Sequence, residues 1–214
     1  MVAHNVEAPP KSFINIGCGY DSHFSQFEWK GYTFINFDIV YDSLYTLQRN
    51  FGGKSCVAGD VKRLPFKSSF FDYVVCVDVI HHENQNIPSL LKSFRKLLKP
   101  MGCLFLEDPN AWGMFQFAKS ILLPNLLYKV LRSIYHKLKH STSRPAHYEF
   151  PTSVWYVKKT LEELGFCNIR IYANKAYPCI GPLNYQVYKG FSKIEWVQKY
   201  HNYHYMLSAI KSKE

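Results

Sequence analysis

Short runs of apolar, β-branched and aromatic residues recur through the first half of the chain, each closing on glycine or an acid. "SFINI" (residues 12–16) breaks at Gly17, and "YTFINFD" (32–38) ends in Asp38. "KSCVAGD" (54–60) is weaker and ends in Asp60, while "FDYVVCVDVI" (71–80) is rich in β-branched residues. Runs of this length and composition predict strands of a buried sheet. The period then changes: Ile87, Leu90, Leu91, Phe94, Leu97 and Leu98 recur at steps of three and four, which predicts a helix. Pro88 suits its first turn, and Pro100 followed by Gly102 predicts its end. "CLFLED" (103–108) predicts a fifth strand. Strands separated by helical or loop segments in this way predict right-handed crossovers and an α/β fold with both sheet faces covered.

After "PNAWG" (109–113) the rhythm is lost as far as about residue 150. Within that interval, 125–139 predicts a helix whose apolar stripe runs from Leu126 to Leu138, with Lys129, Arg132, His136 and Lys137 on the rest of its surface. "TSVWYVKKTLEELGF" (152–166) reads as a capped helix closed by Gly165, and "CNIRIYA" (167–173) as a sixth strand. An aromatic stretch, 177–200, precedes a last strand, "YHYMLSAIKS" (203–212). Residues 1–10 are expected to be a loose end.

Composition adds three bounds. A chain of 214 residues, 47% hydrophobic, can bury one substantial core, so one domain is expected. No apolar run reaches the ~18 residues of a membrane span, and "MVAHNVEAPPK" lacks the basic and apolar regions of a secretory signal. Cysteines 18, 56, 76, 103, 167 and 179 show no CxxC and no histidine at ligand spacing. The expectation is reduced thiols in a cytoplasmic protein, with neither a disulfide framework nor a metal site.

Charge divides the chain. Residues 1–108 carry 11 Lys/Arg and 11 Asp/Glu, so the net +10 lies entirely in residues 109–214. The basic 125–139 helix allows three uses: a lid over a pocket, contact with an anionic membrane, or an RNA-facing patch.

The chemistry concentrates where the first two runs end. Gly17-Cys18-Gly19 lets the backbone turn sharply and lets a ligand press against amides with no Cβ between. A dinucleotide loop wants a third glycine where this chain has Ser22, and Tyr20 and Asp21 suit a pyrophosphate poorly. Asp38 stands where a carboxylate accepts both hydroxyls of a ribose, and Asp60 where one accepts from an exocyclic amine. Together they describe an adenosine pocket without a phosphate clamp.

At this level the chain resembles the class I SAM-dependent methyltransferases, in particular their small-molecule branch. "FINIGCGY", "FINFDI", "GDVKRLPFKSSFFDYVVCVDVIHH" and "LLKSFRKLLKPMGCLFLEDPN" carry the likeness over about residues 12–110. The resemblance implies a Rossmann-like three-layer sandwich, with a seven-stranded sheet whose last strand is antiparallel. It implies S-adenosyl-L-methionine as cofactor, with Gly17 and Gly19 at its methionine side, Asp38 at the ribose, Asp60 with Val61 at the adenine, and Ile39 among the cofactor-binding residues. Cys76 and Val77 would lie beneath the methionine end. Residues 111–150 and 177–200 would form a helical and aromatic cap on the substrate side. Asn15 replaces an acid common in the family, Asp21 replaces its third glycine, and the usual N-terminal helix is missing.

For the reaction, His81, His82 and His147 are the candidates. The first two end the fourth strand, where each ring serves either as a general base or as a wall of the pocket. His147 lies in "RPAHYEFPT", on the expected acceptor side. Asp72, at the start of that strand, reads as structural. The expected reaction is methyl transfer to oxygen or nitrogen of a small or lipid-linked acceptor, such as a sugar or glycan intermediate. The rivals are an RNA methyltransferase, for which "DVIH" (78–81) lacks the catalytic N/D-P-P-Y/F type tetrapeptide, a SAM-binding protein without catalysis, and a nicotinamide dehydrogenase.

Overall fold

The computed structural model describes residues 11–20, 32–51, 55–83, 86–113, 152–173, 194–201 and 204–213. Seven strands form one sheet: β1 (Lys11–Ile16), β2 (Tyr32–Asp38), β3 (Ser55–Ala58), β4 (Phe71–Val77), β5 (Leu98–Pro109), β6 (Phe166–Tyr172) and β7 (His204–Lys211). Their spatial order is β3-β2-β1-β4-β5-β7-β6. The first five are mutually parallel, and β7 runs antiparallel between β5 and β6. The α/β sandwich implied by the sequence is therefore present, strand for strand.

Burial explains the assignments. Central β1 is buried from Ser12 to Ile16, as a strand covered on both faces must be, whereas the edge strand β6 is largely open. Helix α2 (Ile87–Leu97) buries Ile87, Leu90, Leu91, Phe94 and Leu97, the stripe that the spacing predicts. Leu98, read as its last contact, instead opens β5. Pro100 ends the helix but does not prevent pairing. Leu98 pairs with Phe71, and regular register with β4 resumes at Cys103. The intervening irregularity contains Met101 at φ +63° and Gly102. A bulge tolerates both proline and left-handed backbone.

Three further differences are local. Helix α1 (Tyr41–Phe51) was not legible, because it buries only Ser43, Leu44 and Leu47. Helix α3 (Val154–Glu163) begins after Ser153, whose side chain makes no capping hydrogen bond, and it closes through Gly165 at φ +76°. A short helix, α4 (Glu195–Tyr200), lies inside the stretch read only as aromatic. The predicted 125–139 helix, His147 and residues 1–10 lie outside the described residues.

Asp72 acts as a latch at the sheet edge remote from the glycine turn. It accepts from Ser12 N and Oγ, both at 2.8 Å, and from Lys99 Nζ at 2.7 Å, tying β1, β4 and β5 together. Burial works against its charge, but Lys99 and Ser12 still hold the carboxyl below its ordinary range. The described cysteines are all free thiols. Among the described residues, no helix is long and apolar enough to cross a membrane.

Candidate active site

The order of the strands fixes where a ligand can bind. From β1 the chain moves outward to β2 and β3, then returns to β4 on the other side of β1. The crevice beyond the C-terminal ends of β1 and β4 is thus a topological switch point, where open α/β sheets bind ligands. Gly17 follows β1 and Val79 follows β4, and the two are in close contact. A Cβ on Gly17 would lie 2.0 Å from Val79 Cγ2. Gly17 has φ +71° and donates to Phe37 O at 2.7 Å, so the turn is fastened to the end of β2. A Cβ on Gly19, at φ +61°, would meet nothing within 4 Å, which leaves open space above its backbone.

Asp38 holds this turn from the other side. Its Oδ2 accepts from Gly19 N and its Oδ1 from Val40 N, each at 2.8 Å. Each carboxylate oxygen has a second lone pair, so the group can also accept hydroxyl hydrogens. Ile39, next in sequence, is exposed and presents an apolar side chain beside it. Asp60 caps the single turn Val61–Arg63 by accepting from Lys62 N at 2.9 Å, and Val61 packs against the core. Cys76 is fully buried and therefore offers a ligand no side-chain surface, while Val77 is half-buried. Cys18 is also buried, and burial aided by Asp38 pushes its thiol up to about 12.

The two histidines differ sharply. His81 is buried and His82 exposed, with their rings 3.9 Å apart. His81 Nδ1 lies 2.9 Å from Asp108 Oδ1. Asp108 belongs to β5 and is fully buried, and its Oδ2 has no hydrogen-bond partner. Burial pushes its carboxyl up to about 6, against the lowering pull of His81. His204, at the start of β7, lies 3.5 Å from both Asp78 Oδ1 and Glu107 Oε1. Burial works against a charged His204, yet Glu107 and Asp78 keep its ring above the ordinary histidine range. Asp78, His81 and Asp108 bring ligand-type atoms within 4.8 Å of one another, a grouping that residue spacing did not reveal. Two of the three already engage each other through the His81–Asp108 contact.

Sequence spacing thus brought together the glycine turn and Asp38, but missed Asp108, Glu107 and His204. "LED" at the end of the fifth strand was the available signal, since β5 adjoins β4 at the same sheet edge.

Comparison agrees with this geometry. The family described as "Methyltransferase domain" matches residues 14–106. A SAM-dependent methyltransferase from Archaeoglobus fulgidus superposes with TM-score 0.60 at 16% identity, covering 94% of this chain and 86% of that one. The carbon methyltransferase CurJ gives 0.60 at 16% identity, covering 96% of this chain and 50% of that one. Phosphoethanolamine N-methyltransferase 2 of Haemonchus contortus, in complex with S-adenosyl-L-methionine, gives 0.61 at 16% identity, covering 94% of this chain and 49% of that one. Comparison with curated proteins finds no match. Residues 14–106 thus match a methyltransferase domain, carried on a fold shared with SAM-dependent methyltransferases.

Proposed function

We propose that this protein transfers a methyl group to oxygen or nitrogen of a small or lipid-linked acceptor, sugar and glycan intermediates included. The observation that carries the reading is the buried contact between His81, in the single turn Ile80–His82 that follows β4 rather than at the strand's end, and Asp108 of the neighbouring β5. When bound, the cofactor supplies a methyl group made electrophilic by its sulfonium. Asp38 would accept from the ribose hydroxyls while still holding Gly19 and Val40. Asp60 and Val61 would hold the adenine, and Ile39 would offer it or the ribose an apolar contact. Gly17, Gly19, Val77 and the main chain of Cys76 would hold the methionine portion.

His81 is the general base. With Nδ1–H donating to Asp108 Oδ1, its lone pair lies on Nε2, the atom that takes the acceptor proton. Asp108 is a positioning residue that fixes this tautomer and favours the imidazolium that forms. His82 is a wall beside it, and His147 an acceptor-side residue. Residues 12–110 are the cofactor-binding core of a single domain, with 111–150 and 177–200 as its acceptor-side cap. The lid role suits the basic 125–139 segment. A nitrogen acceptor has a precedent in the Haemonchus protein, whose name states one.

Titration calorimetry tests the cofactor half of this reading. The protein is expected to bind S-adenosyl-L-methionine or S-adenosylhomocysteine and not NAD, and Asp38→Ala is expected to weaken that binding by roughly 2–3 kcal/mol. An unchanged affinity removes Asp38 from the site, and tighter binding of NAD overturns the reading. Labelled S-adenosyl-L-methionine, offered with metabolite, lipid and RNA extracts, identifies the acceptor class. Label appearing only in RNA would replace the small-acceptor reading with the RNA one.

A further inference from the structure

Acidic side chains gather at the ends of β4 and β5. Asp78 follows β4 and precedes Val79, the residue in contact with Gly17. Its N donates to Glu107 O at 2.9 Å, which fastens it to β5, and its backbone is held at φ +55°. The Asp78 side chain is 52% exposed, and Oδ1 lies 3.5 Å from His204 Nδ1, which is equally far from Glu107 Oε1. Asp78, His81 and Asp108 bring their polar atoms within 4.8 Å of one another. The frame beneath is rigid. Asp108 pairs with Tyr205 and Pro109 with His204, Tyr205 OH meets Thr152 Oγ1 at 2.8 Å, and Asn110 is bridged to Thr152. A group set on strands in this way is held ready for a ligand.

Charge indicates the class of that ligand. With His81 neutral, as a base must be, Asp78, Glu107 and Asp108 outweigh His204 even when its ring is protonated. Among the described residues, no lysine or arginine forms an ion pair with Asp78 or Asp108. Asp108 Oδ2 is buried without a hydrogen-bond partner, so its charge acts through a low-dielectric interior on whatever Asp78 holds. A hydroxyl acceptor builds negative charge on oxygen as it loses its proton, and a phosphate or carboxylate brings negative charge with it. Both are opposed here, whereas a cation is drawn in. Spacing separates an ammonium from a metal ion. Two hydrogen bonds of about 2.9 Å from one tetrahedral nitrogen set their acceptors about 4.7 Å apart. Ligands about 2.1 Å from a zinc or magnesium ion stand no more than about 4.2 Å apart. A group reaching across 4.8 Å matches the nitrogen better.

Resting on the methyl-transfer reading, we propose that this cluster selects a protonated primary or secondary amine as acceptor, with Asp78 holding its ammonium group. One ammonium proton passes to His81 Nε2. The nitrogen lone pair so released bonds to the methyl carbon, and the electron pair of the broken C–S bond stays on sulfur. The product leaves as an N-methylammonium, and the second positive charge ends on the His81 ring beside Asp108. Two positive charges are thus present before and after, in a crevice lined to hold them. The test offers the full chain labelled S-adenosyl-L-methionine with aqueous and lipid extracts, each used directly and after acylation of its amines with N-hydroxysuccinimidyl acetate. Acylation is expected to lower methyl incorporation at least tenfold, and the fraction affected tells a water-soluble amine from a lipid-borne one. Label that survives acylation overturns the proposal and leaves an oxygen acceptor in place. No label in either extract overturns the methyl-transfer reading, and the proposal with it. The labelled amine then serves as probe for Asp78→Asn, whose side chain also tolerates left-handed backbone. Its KM for that amine is expected to rise about tenfold, as loss of one charge-assisted hydrogen bond implies, with SAM affinity unchanged by calorimetry. An unchanged KM overturns the proposal. If Asp78→Asn fails to fold, Glu107→Gln carries the same expectation. EDTA is expected to leave the rate unchanged, and a loss restored by magnesium or manganese would show that the cluster holds a metal instead.

Discussion

Gly17→Ala is expected to lower affinity for S-adenosyl-L-methionine by about a hundredfold or more, because the new methyl cannot be accommodated without moving the turn or repacking Val79. Two effects combine at this position. Left-handed backbone at φ +71° costs a side-chain-bearing residue about 1–2 kcal/mol. The new Cβ would also lie 2.0 Å from Val79 Cγ2, and overpacking of this kind adds about 1–3 kcal/mol or displaces the backbone. Displacement would break the 2.7 Å bond from Gly17 N to Phe37 O and move the amides that face the ligand. Gly19→Ala is the control. Its φ is similar, yet its Cβ would enter open space, so only the backbone cost applies and a loss of about 5- to 30-fold is expected. Calorimetry and thermal melts on both variants check this, and equal losses would show that the Val79 contact is unimportant.

The second large effect is expected at the His–Asp pair. His81→Ala should lower kcat by about 10²- to 10⁴-fold with SAM affinity retained. His82→Ala should fall only mildly, because that ring is exposed and serves as a wall. Asp108→Asn separates positioning from packing. Activity of the wild type is expected to decline as pH falls through about 6, where Asp108 takes up a proton and stops accepting from His81. The asparagine variant should be slow throughout, because the charge that favours the imidazolium is gone. Its stability should move the opposite way. The folded-state pKa of Asp108 lies above the ordinary carboxyl value of 3.8, so the folded protein binds the extra proton between about 4 and 6. The ionised, buried carboxylate therefore costs stability above about pH 6, by about 3 kcal/mol at most, and that cost fades as pH falls. The Tm of Asp108→Asn relative to the wild type is expected to rise between pH 5 and pH 8. A variant with normal kcat would remove Asp108 from the mechanism.

The parallel sheet was legible because its strands are buried on both faces and so form unbroken apolar runs, as in "SFINI" and "FDYVVCVDVI". Helix α2 was legible for a related reason: five of its residues face the core, and their spacing records the face. Helix α1 buries only three, one of them a serine, and leaves no such record. At the site, Gly19 and Asp38 declare themselves because the turn and the end of β2 are bonded to each other 19 residues apart. The His81–Asp108 contact joins the turn after β4 to β5 across 27 residues, and nothing local at either residue requires the other. Topology creates that pair, through the adjacency of β4 and β5.

The bridge between Asn110 and Thr152 bears on how such a protein diversifies. Ala111 N donates to Thr152 O at 3.0 Å and Thr152 N to Pro109 O at 3.2 Å, so the ends of the intervening segment are fixed by the sheet-side framework. Closing a chain between fixed ends costs entropy that grows only with the logarithm of its length, about 0.6 kcal/mol for each doubling. The segment can therefore be lengthened, shortened or exchanged at little thermodynamic cost, while the glycine turn, Asp38 and the histidine pair remain in register. With that segment as the proposed acceptor-side cap, acceptor preference would be a trait able to evolve separately from cofactor use.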